Sequence, residues 1–237
     1  MVSDAARPHR VAVYFAPPPQ SRWGRAGSEW LGRCALSDQT VDQSRIDGIA
    51  PDHFARLTAE PRRYGWHATL KAPFQLSPEL TLDSLRLAMR RLCVGREPFN
   101  LPPLQVSCMG HFLALRTMQR QSALDQLAAD CVQQLQPLAQ PLSEAELARR
   151  RRSGLTPGQD ALLQAWGYPY VLDEYRFHFS LTGPLPGVPA DVLVALLEAA
   201  SARFHLLPAL RVDRLSLFVE PEPGAAFRLV EQFEFQS

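Results

Sequence analysis

Two five-residue runs, Trp66–Leu70 (WHATL) and Phe177–Leu181 (FHFSL), limit what this chain can fold into more than any other stretch. Each alternates apolar and polar residues. A strand sends successive side chains to opposite faces, so each run reads as a strand with one buried and one open face. Trp66, Ala68 and Leu70 make the buried side of the first; Phe177, Phe179 and Leu181 make that of the second. The open sides carry His67 with Thr69 and His178 with Ser180, and the same alternation extends them to Lys71 and Arg176. Of the six histidines, only these two have a hydroxyl two residues on. Each open face offers a proton carrier, a neutral donor and a cation. Brought together, two such faces make a site for a phosphate ester.

The remaining composition narrows the class of substrate. A chain of 237 residues can bury a substantial core, and 46% apolar against 21% charged residues reads as globular. Lysine and arginine number 25 against 24 acidic residues. A protein that grips a nucleic-acid polymer through many phosphates carries a basic excess, so a small phosphorylated ligand fits better than a long duplex. Cys34, Cys93, Cys108 and Cys131 are scattered, without metal-ligand spacing, and read as free thiols of a reducing compartment. The opening residues lack a signal-peptide apolar stretch, and no run is long enough to span a bilayer. The expectation is a cytoplasmic monomer without membrane association, cofactor or metal.

Along the chain, Arg10–Ala16 predicts a strand closed by Pro17–Pro19, and Ser21–Leu36 a helix. Glu60–Gly65 reads as a turn delivering the first motif. Leu82–Leu92 has helical periodicity with Thr81 as its cap. Leu104–Met109 and Phe112–Arg116 predict a hairpin around Gly110 and His111, and Gln121–Leu135 is the clearest amphipathic helix. Proline-rich 136–141 reads as a linker. Ser143 and Glu146 then form a capping-box pattern that opens a helix ending in Arg149–Arg152, and a second helix runs from Thr156 to Trp166. Ala190–Ala202 predicts a helix, and 212–219 with 227–235 a closing hairpin. The order implies an α+β fold of one domain with two ferredoxin-like, pseudo-duplicated lobes. Two mainly antiparallel sheets would flank a central cleft, with helices outside. Lobe one is expected at about 10–135, a helical insertion at about 136–170 and lobe two at about 171–237. Arg116, Tyr168 and Tyr170 are further candidates to line the cleft.

The longer strings Tyr64–Phe74 (YGWHATLKAPF), Pro141–Arg150 (PLSEAELARR), Trp166–Tyr170 (WGYPY) and Phe177–Gly183 (FHFSLTG) resemble the two-histidine (2H) phosphoesterases. These are similar to the RNA ligase and cyclic phosphodiesterase group, and the strings resemble a branch whose genes accompany bacterial phosphonate-utilisation operons. The resemblance implies a bilobal fold with the two motifs facing each other, and metal-free phosphodiester chemistry. His67 and His178 would then be the catalytic acid and base. Thr69 and Ser180 would donate to the phosphoryl oxygens, and Lys71 or Arg176 would balance charge. The expected activity is opening of a small cyclic phosphodiester, of a nucleotide or a sugar. Two alternatives stay open: a non-catalytic module binding a phosphorylated ligand or RNA end, and a 2′–5′ RNA ligase or phosphodiesterase.

Overall fold

The strand Arg10–Phe15 (β1) is buried from Val11 onward on both of its faces, which only a central place in a covered sheet allows. The computed structural model describes residues 7–152 and 154–236. After β1 come Arg22–Leu31 (α1), Arg33–Cys34 (β2), Gln39–Thr40 (β3), Pro51–Leu57 (α2) and Ala59–Tyr64 (α3). The first motif leads into Ala68–Phe74 (β4), followed by Leu82–Cys93 (α4), Phe99–Asn100 (β5), Gln105–Met109 (β6), Phe112–Arg116 (β7) and Ser122–Leu135 (α5). Glu144–Arg151 (α6) and Pro157–Trp166 (α7) precede the second motif strand, His178–Ser180 (β8). Ala190–His205 (α8), Arg211–Val212 (β9), Arg214–Glu220 (β10) and Arg228–Glu234 (β11) complete the order.

Seven strands form one sheet in the order β11-β10-β1-β4-β8-β7-β6, every neighbour pair antiparallel. The α+β class and the antiparallel pairing are as the sequence implies. The two motif strands are the seam: β4 and β8 meet through the single pair Ala68↔Phe179, so a four-strand half and a three-strand half run on into each other. The halves differ from the expected lobes in chain order. The closing hairpin β10–β11 lies beside β1, with the first motif, while the hairpin β6–β7 lies beside β8, with the second. Burial explains the exchange. β10, buried from Leu215 to Glu220, needs cover on both sides, whereas β6, exposed at Gln105 and Cys108, tolerates the open edge.

One face of the sheet carries the main core. Val13, Phe15, Leu70, Leu115 and Phe179 pack there against α1, α4, α5 and α8. The opposite face has a smaller cluster around Ala12, Tyr14, Phe218 and Phe227, and it is here that both histidines emerge. Trp66 ties the motifs together from the core side, stacked on Phe179 at 4.6 Å and on Phe204 at 5.2 Å. α1 passes directly over its indole at Gly27, where a Cβ would stand 2.0 Å from the ring, so only glycine fits. The segment read as a turn, Glu60–Gly65, is instead nearly all of the helix α3 and its C-cap. Gly65 closes it at φ +79°, with Ala35 too near for any side chain, and redirects the chain into the motif.

Glu220, fully buried, fixes the closing hairpin against this half. It accepts from the guanidinium groups of Arg10 and Arg63 and, at 3.1 Å, from the Gly224 amide. Burial alone would raise its carboxyl, but the bond and charge of Arg10, with Arg63 and the Gly224 amide, hold it below the usual range.

Candidate active site

The register of the seam builds the site. Extending Ala68↔Phe179 by one residue each way sets His67 against Ser180 and Thr69 against His178, all four on the face away from the main core. Directly opposed residues on an antiparallel pair stand about 5 Å apart at Cβ, and diagonal ones roughly 7–8 Å, so both imidazoles reach one phosphate between them. His178 is near enough that its charge opposes protonation of His67.

Both rings are held the same way. His67 Nδ1 lies 2.8 Å from the Gly65 carbonyl and His178 Nδ1 lies 2.8 Å from the Arg176 carbonyl. A carbonyl only accepts, so each Nδ1 carries the proton, and in the neutral ring each Nε2 presents a lone pair to the face. Thr69 Oγ1 stands 3.3 Å from His67 Nε2.

Their surroundings differ. Tyr14, on β1 opposite Thr69, stacks on His67 at 3.7 Å with the planes 23° apart. Phe218 and Tyr64 close around it at 6.1 and 6.2 Å. Burial in this cage pushes His67 down to about 4, against the carbonyl bond of Gly65, which favours the charged ring. His178 has Phe112 at 5.7 Å as its ring neighbour. Burial also lowers His178, with the Arg176 carbonyl opposing.

Lys71 does not join the site. Between Thr69 and Lys71 the register against β1 slips, two residues of β4 answering the single step from Tyr14 to Val13. This bulge turns Lys71 to the side of Leu70. The ammonium sits under α5, 2.8 Å from Gln136 Oε1 and 3.4 Å from the Val132 carbonyl, and burial lowers it to about 8. Period-two reading places it in the cleft; the bulge removes it.

The other candidates divide. Arg116 is the β7 neighbour of His178 on the same face, its Nε donating to Ser107 Oγ at 2.8 Å. Arg176 is exposed just upstream of His178. Tyr168 is half-buried and near enough to Tyr14 and Tyr64 for their charges to interact, so the insertion leans over the His67 half. Tyr170 packs edge-on against Tyr168 at 5.6 Å and is 44% exposed, at the margin. Trp23 and Trp30 are core: their indole N–H groups donate to the carbonyls of Pro208 and Leu181 at 2.8 and 2.9 Å. The residue that sequence reasoning passed over is Tyr14. Its signal was the one polar-tipped ring in an otherwise apolar strand.

Residues 69–228 match the family described as "Protein of unknown function (DUF1045)". The chain belongs to this family. It is 42% identical over 221 residues to the "Ribose 1,5-bisphosphate phosphokinase PhnN" of Janthinobacterium sp. (strain Marseille), covering 92% of this chain and 49% of that protein. The protein of the same description from Laribacter hongkongensis (strain HLHK9) is 40% identical over 220 residues, covering 93% and 50%. The chain thus spans about half the length of the curated relatives it matches. Among solved structures, it aligns with E. coli LigT complexed with phosphate at 13% identity and a TM-score of 0.43, over 98% of this chain and all of LigT. No helix among the described residues is long and apolar enough to cross a membrane.

Proposed function

We propose that this chain is a two-histidine phosphoesterase that opens a cyclic phosphodiester of a small sugar phosphate without a metal. The observation that carries the reading is the seam: one register pair sets two His–hydroxyl motifs antiparallel, with both Nδ1 protons tied down and both Nε2 atoms left for chemistry. His67, caged by rings that resist charging it, takes the role of base and removes a proton from the attacking water. His178 in its protonated form delivers a proton to the leaving oxygen. Thr69 and Ser180 donate to the non-bridging oxygens. One P–O bond forms to water, one breaks to the sugar, and a monoester results.

The sugar is a ribose phosphate on this reading. The relatives carry the name of a kinase acting on ribose 1,5-bisphosphate, a compound produced when a 1,2-cyclic phosphate of ribose 5-phosphate opens at O2. Supply of a kinase substrate by a related segment supports that choice. The test is turnover of ribose 1,2-cyclic phosphate 5-phosphate by chelator-treated protein, with His67→Ala and His178→Ala alongside. Chelator-resistant activity that falls by roughly 10²–10⁴ in either variant is expected. Absence of turnover together with tight binding by all three proteins would replace the enzyme with a binding module.

A further inference from the structure

With Lys71 turned under α5, Arg10 and Arg63 on the His67 side of the open face are both engaged by Glu220, while Arg116 and Arg176 lie on the His178 side. Thr69, His178, Arg116 and Gln105 form one row across β4, β8, β7 and β6, and Arg116 stands one strand spacing, about 4.8 Å, from His178. Its guanidinium is pinned at one corner: Nε donates to Ser107 Oγ at 2.8 Å, which holds the fork and leaves both terminal nitrogens without a protein partner among the described residues. Arg176, exposed two residues before His178, likewise has no acidic partner among them. Several other half-buried arginines are paired with acids, Arg10 with Glu220, Arg96 with Asp130 and Arg214 with Asp213, and Arg62 spends its fork on the Leu31 and Ala55 carbonyls, Thr58 and Gln43. A planar fork fixed at Nε, in register with a reactive histidine and lacking a counter-ion, matches a phosphate monoester.

We infer that Arg116, positioned by Ser107 and assisted by Arg176, binds a second, terminal phosphate of the substrate, one to two strands from the reacting phosphorus. The substrate class is therefore a cyclic phosphodiester that also carries a phosphate monoester. The inference rests on the phosphoesterase reading and deepens it. The near-neutral net charge of +1 and a single pinned fork suit one small dianion, not the repeated diesters of an RNA strand.

Two measurements separate this inference from the reading beneath it. The first compares kcat/KM for ribose 1,2-cyclic phosphate with and without the 5-phosphate. Wild type is expected to favour the phosphorylated compound by roughly 10- to 100-fold, the scale of hydrogen bonds to a charged group. Arg116→Gln loses that preference, its kcat/KM on the phosphorylated compound falling by roughly tenfold or more beyond any fall on the unphosphorylated one, and Ser107→Ala loses part of it. Equal wild-type turnover of the two compounds, or an equal loss on both in Arg116→Gln, overturns the subsite and leaves the phosphoesterase standing. The second is calorimetric titration with ribose 5-phosphate, which needs no turnover. Binding that weakens by roughly tenfold or more in Arg116→Gln supports the subsite, and unchanged affinity rejects it. Stimulation by an internal diester as large as that by the monoester, measured with a 2′,3′-cyclic dinucleotide, would assign the arginine to RNA instead.

Discussion

The two halves of the seam hold the same His–hydroxyl motif in different surroundings. His67 and His178 share a backbone setting, a carbonyl partner two residues upstream and a hydroxyl two residues downstream. Around His67 stand Tyr14, Phe218 and Tyr64; around His178 stand Phe112 and two arginines without acidic partners among the described residues. Burial disfavours charge on both imidazoles; what differs is the lining, aromatic rings around His67 and, beside His178, arginines without an acidic partner among the described residues. When environment separates two identical groups, it assigns them different tasks, and an acid–base pair needs such a difference. On the proposed reading, the aromatic half prepares a base and the arginine half holds the substrate.

Removing the cage is the larger way to break that comparison. Tyr14→Leu should let water to His67 and raise its value from about 4 towards the ordinary 6.5. Because a base must be unprotonated, the acid limb of the kcat/KM profile moves up with it, and activity near pH 5 falls by about tenfold. The matching change on the other side, Phe112→Leu, should leave that limb in place. A profile from pH 3.5 to 9 on both variants checks the pair, and an unmoved limb in Tyr14→Leu would remove the cage from the account.

A smaller effect sharpens the boundary of the site. Lys71→Met should leave kcat/KM within about threefold, since the ammonium faces Gln136 and the Val132 carbonyl. Its effect belongs to stability. The folded value of about 8 lies below the unfolded reference of about 10.4, so the cost of burying the charge is carried in full below pH 8. That cost fades as pH rises towards 10.4. The methionine variant should therefore be more stable by about 1–3 kcal/mol at pH 7, with the gain shrinking by pH 10, as urea unfolding at the two pH values would report.

Most of the framework is readable from residue pattern, because its causes are local. Thr81 and Ser143 cap α4 and α6 as their spacing predicts, and Gly167 ends α7 at φ +74°. The motif histidines and hydroxyls share a face because alternation holds through the short stretches that carry them. What pattern does not carry is pairing at a distance. Nothing local says that β10–β11 crosses to β1 and β6–β7 to β8, since that choice depends on which strands need cover on both sides. Lys71 fails for a related reason: a bulge is a mismatch with the neighbouring strand, invisible in β4 alone. Tyr14 was missed because its partner, His67, lies across that same pairing.

The geometry sets two imidazoles, each with Nδ1 protonated and each lowered by burial, to share one phosphate. Nitrogen-15 NMR of the histidine rings across pH, without and with inorganic phosphate, tests it most directly. The expected result is the Nδ1–H form for both neutral rings, titration of His67 near pH 4 and of His178 below 6.5, and both rings shifting together when phosphate binds. Titration of both near 6.5, an Nε2–H form at either, or a response to phosphate from one ring alone would contradict it.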